Sequence, residues 1–340
     1  IPEDKEYNLN RTDKLLDRVI TRNEVRAQQG LEDKDGGDEL YIPMSSIPLG
    51  DSSGVPAPAS KANRKSIVIK RTRRVVTAKD LEFSIEKKES FRVRLMKNQT
   101  AYERKFLKTL KPILTEQLKE ALKNLEAHAS SATKAFDQKL FDDANADSVM
   151  KKALTPVMSD LAESQGALAL LFAGDEDTEF KMTATLAKII EQRLQKMASA
   201  FNDETIAQLN KSLAEGIQAG ENLDKLKGRV EDVYSGATGY RAERIARTET
   251  LNASNEATNQ AYKQTGYVTG KQWYANPDAD AECEAMDGKE IGLDETFLKQ
   301  GESMTYTDAN GDEQTLVNSY DNVDSPPLHP NCRCTIIPTR

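Results

Sequence analysis

Residues 102–122 read YERKFLKTLKPILTEQLKEAL, and the fold class follows from their spacing. Tyr102, Phe106, Leu110, Leu114, Leu118 and Leu122 recur at every fourth position, which lines one side of an α-helix and no side of a strand. Only Pro112 interrupts the stripe. Outward from this segment the same period persists over 91–266, predicting helices at 147–172, 178–200, 203–219 and 222–235. Asn202 or Asp203 is expected to cap one helix and Gly220 to end it. Leu186, Ile189, Ile190, Leu194, Met197 and Phe201 form an apolar face that reads as bundle core.

Helix 240–262 has a different composition. Ala242, Ala246, Ala253, Ala257 and Ala261 form a small-residue face that lets another helix approach closely. Arg244, Thr248, Asn252, Asn255 and Asn259 form a polar face at helical steps. Asn and Thr weaken a helix, so that face is expected to hydrogen-bond another segment of chain. Arg247 and Glu249 beside it read as structural ion-pairing residues.

Beyond Gly266 the period changes. Val268 and Lys271-Gln272-Trp273-Tyr274-Ala275 predict a strand carrying the sole tryptophan, and Cys283 to Lys289 a helical turn ending at Gly288. Asn310-Gly311 predicts a hairpin, and Thr335-Ile336-Ile337 a closing strand. The fold class is therefore mainly α: an elongated helical bundle or stalk followed by a small α+β C-terminal module.

That module holds all the cysteines and one of the two histidines: Cys283, His329, Cys332 and Cys334. Three sulfurs and one imidazole are the ligand set of a closed, structural Zn²⁺ site, and a thin apolar core is where such a cross-link supplies missing stability. Two alternatives stand beside it, a disulfide from Cys283 to Cys332 or Cys334, and inert thiols.

Charge is uneven. The chain carries −8, but 271–340 holds 14 acidic against 5 basic residues, leaving the remainder near +1. An acidic metal module is ill suited to gripping DNA phosphates. The basic run lies elsewhere, at Lys61, Arg64, Lys65, Lys70, Arg71, Arg73 and Arg74, after a Gly-, Ser- and Pro-containing linker. It reads either as a contact for nucleic acid or another anionic surface, or as a solvated linker. No apolar run approaches the roughly 20 residues that cross a bilayer. No glycine-rich phosphate loop or Ser-His-Asp set is present, so no catalytic residue is assigned and the chain is expected not to be an enzyme.

Four blocks in order carry a resemblance: Arg244-Ile245-Ala246-Arg247-Thr248-Glu249-Thr250, Trp273, Cys283-Glu284-Ala285-Met286-Asp287-Gly288, and Pro327-Leu328-His329-Pro330-Asn331-Cys332-Arg333-Cys334. Together they resemble the phage Mu protein F-like minor head protein family. Thr21-Arg22-Asn23-Glu24-Val25-Arg26, Gly30-Leu31 and Asp35-Gly36-Gly37-Asp38 resemble the C-terminal end of tailed-phage portal proteins. The resemblances imply a portal-like segment over 1–50, a linker with the basic run over 51–90, a helical region over 91–235 and a head morphogenesis module over 236–340. They also imply a virion protein of the capsid interior and portal vertex, present in the host cytoplasm during assembly. Its partners would be portal and capsid proteins and packaged double-stranded DNA, with self-association into a homo-oligomer open. A start at Ile1-Pro2 fits a fragment or processed product of a longer portal fusion. Two other readings are a DNA-binding protein of the capsid interior and an effector enzyme of ADP-ribosyltransferase-like type built on Arg247 and Glu249.

Overall fold

The computed structural model describes residues 83–128, 139–319 and 321–340. The chain divides into two compact units, Ile1–Thr72 and Arg73–Arg340. The first, with the portal-like stretch, lies outside the described residues, as does the whole basic run from Lys61 to Arg74.

The second unit is mainly α with a small sheet-containing C-terminal part, as the periodicity predicts. Helix α1 (Ile85–His128) runs 44 residues, about 66 Å at 1.5 Å per residue. Ser84 caps it by accepting the Lys87 N–H at 3.2 Å. Its inward stripe begins about three turns earlier than 102–122 suggests: Phe91, Leu95, Gln99, Phe106, Leu110, Leu114, Gln117, Ala121 and Leu125 are all buried. Pro112 does not end the helix. Proline and Lys108, whose carbonyl loses its partner, are both exposed, so water can satisfy that oxygen.

Helix α2 (Asp143–Ala173) is capped by Asp142 and stopped by Gly174 at φ +90°. Helix α3 (Ala184–Gln218) starts at the Thr183 cap and runs unbroken through the predicted boundary at Asn202. Asn202 is no cap. It is fully buried, accepts from Gln117 Nε2 at 3.0 Å and donates to Asp147 Oδ1 at 2.6 Å. Those bonds to α1 and α2 outweigh its weak helix propensity. Helix α4 (Leu223–Gly236) follows the Asn222 cap. A π-helical turn (Ala237–Arg241), kinked at Gly239, joins it to α5 (Ala242–Thr265).

Strand β1 (Gly270–Tyr274) is the centre of an antiparallel sheet ordered β2-β1-β5, with β2 at Glu290–Gly292 and β5 at Thr335–Thr339. One turn of helix, α6 (Ala281–Glu284), sits between β1 and β2. The predicted hairpin is β3 (Ser303–Thr307) with β4 (Glu313–Val317); Asp308 Oδ1 accepts the Asn310 and Asp312 amides at its tip.

Three apolar clusters lie along the helices. Ala121, Leu125, Leu213, Val230 and Tyr234 build one. Phe106, Leu154, Leu194 and the alanines Ala246, Ala253 and Ala257 build a second. The third joins Phe91 and Leu95 of α1 to Tyr262, Trp273, Phe297, Ile336, Ile337 and all three cysteines. The cysteine module is thus rooted in the core that also buries the start of α1.

Candidate metal centre

The sheet and the proline-rich loop bring the predicted residues together. Cys283 on α6, Cys332 in the loop and Cys334 before β5 are 0%, 3% and 1% exposed, and all three thiols are free. Cys283 and Cys332 sulfurs stand 3.7 Å apart. A disulfide needs about 2.05 Å. Two sulfurs bound to one tetrahedral Zn²⁺ at about 2.3 Å would stand about 3.75 Å apart, so the observed separation fits a ligand edge as well as a thiol–thiol contact. His329 Nε2 lies 3.1 Å from Cys283 Sγ, about 0.4 Å inside the same construction for a nitrogen–sulfur edge. The ligand atoms of Cys283, His329 and Cys332 all lie within 4.8 Å of one another, a group that could hold a metal ion. Cys334 stands outside that trio.

His329 is aimed by its other nitrogen. Nδ1 lies 2.9 Å from the Pro330 carbonyl and 3.4 Å from Asp280 Oδ2. Both are acceptors, which suits a proton on Nδ1 and turns Nε2 toward the sulfurs. Asp280 therefore acts on the histidine. Asn331 takes the left-handed conformation at φ +70°, one that asparagine tolerates better than most residues, and turns the loop back toward Cys332.

The sulfurs have donors of their own. The Cys334 amide donates to Cys332 Sγ at 3.4 Å. Contacts from Cys283 and then Cys332 hold the Cys334 thiol below its usual range, aided by the Asn276 amide and the Trp273 indole. The Cys283 thiol is pushed far up by its contacts with Cys332 and Cys334 and by burial. Crowded buried sulfurs oppose one another's ionisation, and a divalent cation between them would relieve that opposition.

Helix α5 fastens this loop to the helices. Asn255 Nδ2 donates to the Pro326 carbonyl at 3.0 Å and the Cys334 carbonyl at 3.2 Å, while its Oδ1 accepts from Thr335 Oγ1 at 2.8 Å. Asn259 donates to the Leu293 carbonyl at 3.2 Å. The polar face of α5 does bond another chain segment, but through Asn255 and Asn259, which are buried, whereas Thr248 turns back to the Arg244 carbonyl at 2.9 Å. Arg247 Nη1 donates to Asn331 Oδ1 at 3.1 Å, and Arg333 Nη2 reaches Glu103 Oε2 on α1 at 3.2 Å. Glu249 pairs with Arg193 of α3 at 3.6 Å, and burial raises its carboxyl above the ordinary range. Arg247 and Glu249 thus have separate partners.

Sequence reasoning missed Lys271. It is 1% exposed, donates its Nζ to the Leu293 carbonyl at 3.0 Å, and burial lowers its ammonium below the ordinary lysine range. Its place two residues before Trp273 sets it on the same, buried face of β1, the one signal in the sequence that its head lies inside.

Residues 207–337 match the model of the family described as Phage Mu protein F like protein. The match runs from within α3 into β5 and contains Cys283, His329, Cys332 and Cys334. No curated protein and no solved structure matches the chain. No helix among the described residues is long and apolar enough to cross a membrane.

Proposed function

We propose that this chain is a structural protein of a phage particle, acting in head morphogenesis and genome packaging at the portal vertex. The observation that carries the reading is the coincidence of the family match with the Cys/His cluster: 207–337 spans every cysteine and His329. The portal-like stretch at Thr21 to Asp38 supports a fusion in which a portal C-terminus precedes the head module. Portal and capsid proteins are then the partners, and the basic run from Lys61 to Arg74 is the segment that meets packaged DNA.

In this reading the C-terminal module is a knob clasped by Zn²⁺, held by Cys283, His329 and Cys332 with Cys334 beside them. The ion cross-links α6 to the terminal loop and thereby stabilises a module of thin core. Asn255, Arg247 and Arg333 carry that stability into α5 and α1. The engaged partners of Arg247 and Glu249 favour a structural role for both over an ADP-ribosyltransferase-like site.

Purified particles test the assignment: the chain should co-purify with heads at vertex stoichiometry, and particles complete without it would overturn the role. For the clasp, purified protein should hold about one zinc per chain. A chelator should lower thermal stability, and Cys332→Ser should reproduce the loss. Full stability in EDTA with no zinc in the protein rejects the clasp. Salt-steep duplex binding that is unchanged on deleting 61–74 would remove DNA contact from the basic run.

A further inference from the structure

The sheet register bears on how the centre is completed. Trp273 of β1 pairs with Ile336 of β5. Residues directly opposite one another share a face, and so do residues two apart in one strand. Cys334, two before Ile336, therefore continues the Trp273 side of the sheet, diagonal to the indole and within an aromatic side chain's reach.

The indole is fully buried, edge-on to Phe297 with centroids 5.2 Å apart and planes at 86°. Its Nε1–H is shielded from solvent and lies near the Cys334 sulfur without making a well-formed hydrogen bond to it or to any other group. A stranded buried donor costs about 1–3 kcal/mol. A neutral thiol accepts hydrogen bonds weakly, and an ionised acceptor roughly doubles such a bond. The stranded donor is thus free to take one acceptor, and the register sets the Cys334 sulfur beside it as that acceptor.

We infer that Cys334 is the fourth ligand of the centre, and that Trp273 is a positioning residue whose indole N–H holds its thiolate toward a thiophilic divalent cation. The inference rests on the metal reading above and deepens it. Three sulfurs and one nitrogen close the coordination shell, with the buried Cys334 taking the position that a water would otherwise hold. The centre is then a clasp with no room for a bound, reactive water. Asp280 and the Pro330 carbonyl do for His329 at one end what Trp273 does for Cys334 at the other.

Cobalt(II) titration of the chelator-treated full chain tests this. Cobalt should give tetrahedral ligand-field bands and a thiolate-to-cobalt charge-transfer band with the intensity of three sulfurs. Cys334→Ser should lose about one third of that intensity. Trp273→Phe keeps the ring and removes only the N–H. It should retain three-sulfur intensity, shift the charge-transfer band to lower energy, and weaken cobalt affinity about 10- to 100-fold. If Trp273→Phe does not fold, benzothienylalanine at 273 preserves shape without the donor, with the same outcome expected. A wild-type chain that gives no cobalt spectrum overturns the metal reading itself. A two-sulfur spectrum unmoved by Cys334→Ser overturns only the ligand assignment. A band and affinity unchanged on losing the N–H overturn the role of Trp273.

Discussion

Asn255→Ala would remove the side chain that joins the metal loop to α5. Asn255 is fully buried, and its amide serves three partners: the Pro326 and Cys334 carbonyls and the Thr335 hydroxyl. Alanine strands two carbonyl oxygens where no water reaches and leaves the hydroxyl to find another acceptor. Each stranded group costs about 1–3 kcal/mol, so the substitution should cost about 2–5 kcal/mol in total. That is a large share of the roughly 5–15 kcal/mol that holds a typical domain together. Pro326 and Cys334 bracket His329 and Cys332, so the loss should also weaken zinc binding. Equilibrium denaturation with and without zinc measures both effects, and Asn252→Ala, half-buried on the same helix, is the control. A cost below about 1 kcal/mol for Asn255→Ala would refute the view that this asparagine anchors the loop.

Other changes probe the helices. A Cβ on Gly166 of α2 would run into the Phe180 ring, so Gly166→Ala should destabilise by about 1–3 kcal/mol in thermal unfolding as the ring is displaced. Phe106 is fully buried in the central cluster, and Phe106→Ala should cost about 3–5 kcal/mol, read by denaturant midpoint. Burial raises Glu249 above its unfolded value, so the folded chain keeps that proton longer than the unfolded one. Wild-type stability should therefore fall, through this group, as pH rises from about 4.5 through the raised folded value. Glu249→Gln should lack that loss, and its stability advantage over wild type should grow with pH across the same interval. A difference independent of pH would show that Glu249 titrates normally.

The parts of the fold legible in the sequence were those written in local period and turn chemistry. The four-residue stripe of α1, the glycines that follow α3 and α5, and the Asn310-Gly311 hairpin all appear where expected. What escaped was set by distant partners. Asn202 looks like a cap until Gln117 and Asp147 are brought to it from 85 and 55 residues away. Lys271 reads by residue type as exposed, although it shares a face with Trp273, until its ammonium meets the Leu293 carbonyl. The cysteine cluster was visible because its residue types are rare and confined to one end of the chain. The donors around it were not: a lone tryptophan carries no sign that its N–H faces sulfur.

A helix that crosses three separate apolar clusters is a beam resting on three piers. Opening the cluster around Tyr234 frees α1 only as far as the Phe106 support, because each pier holds its own span. Strain pulled in at that far end is therefore absorbed before it reaches the sulfurs. A push on Glu103, by contrast, enters the same beam beside the Phe106 support and passes through Arg333 straight to the cysteine loop.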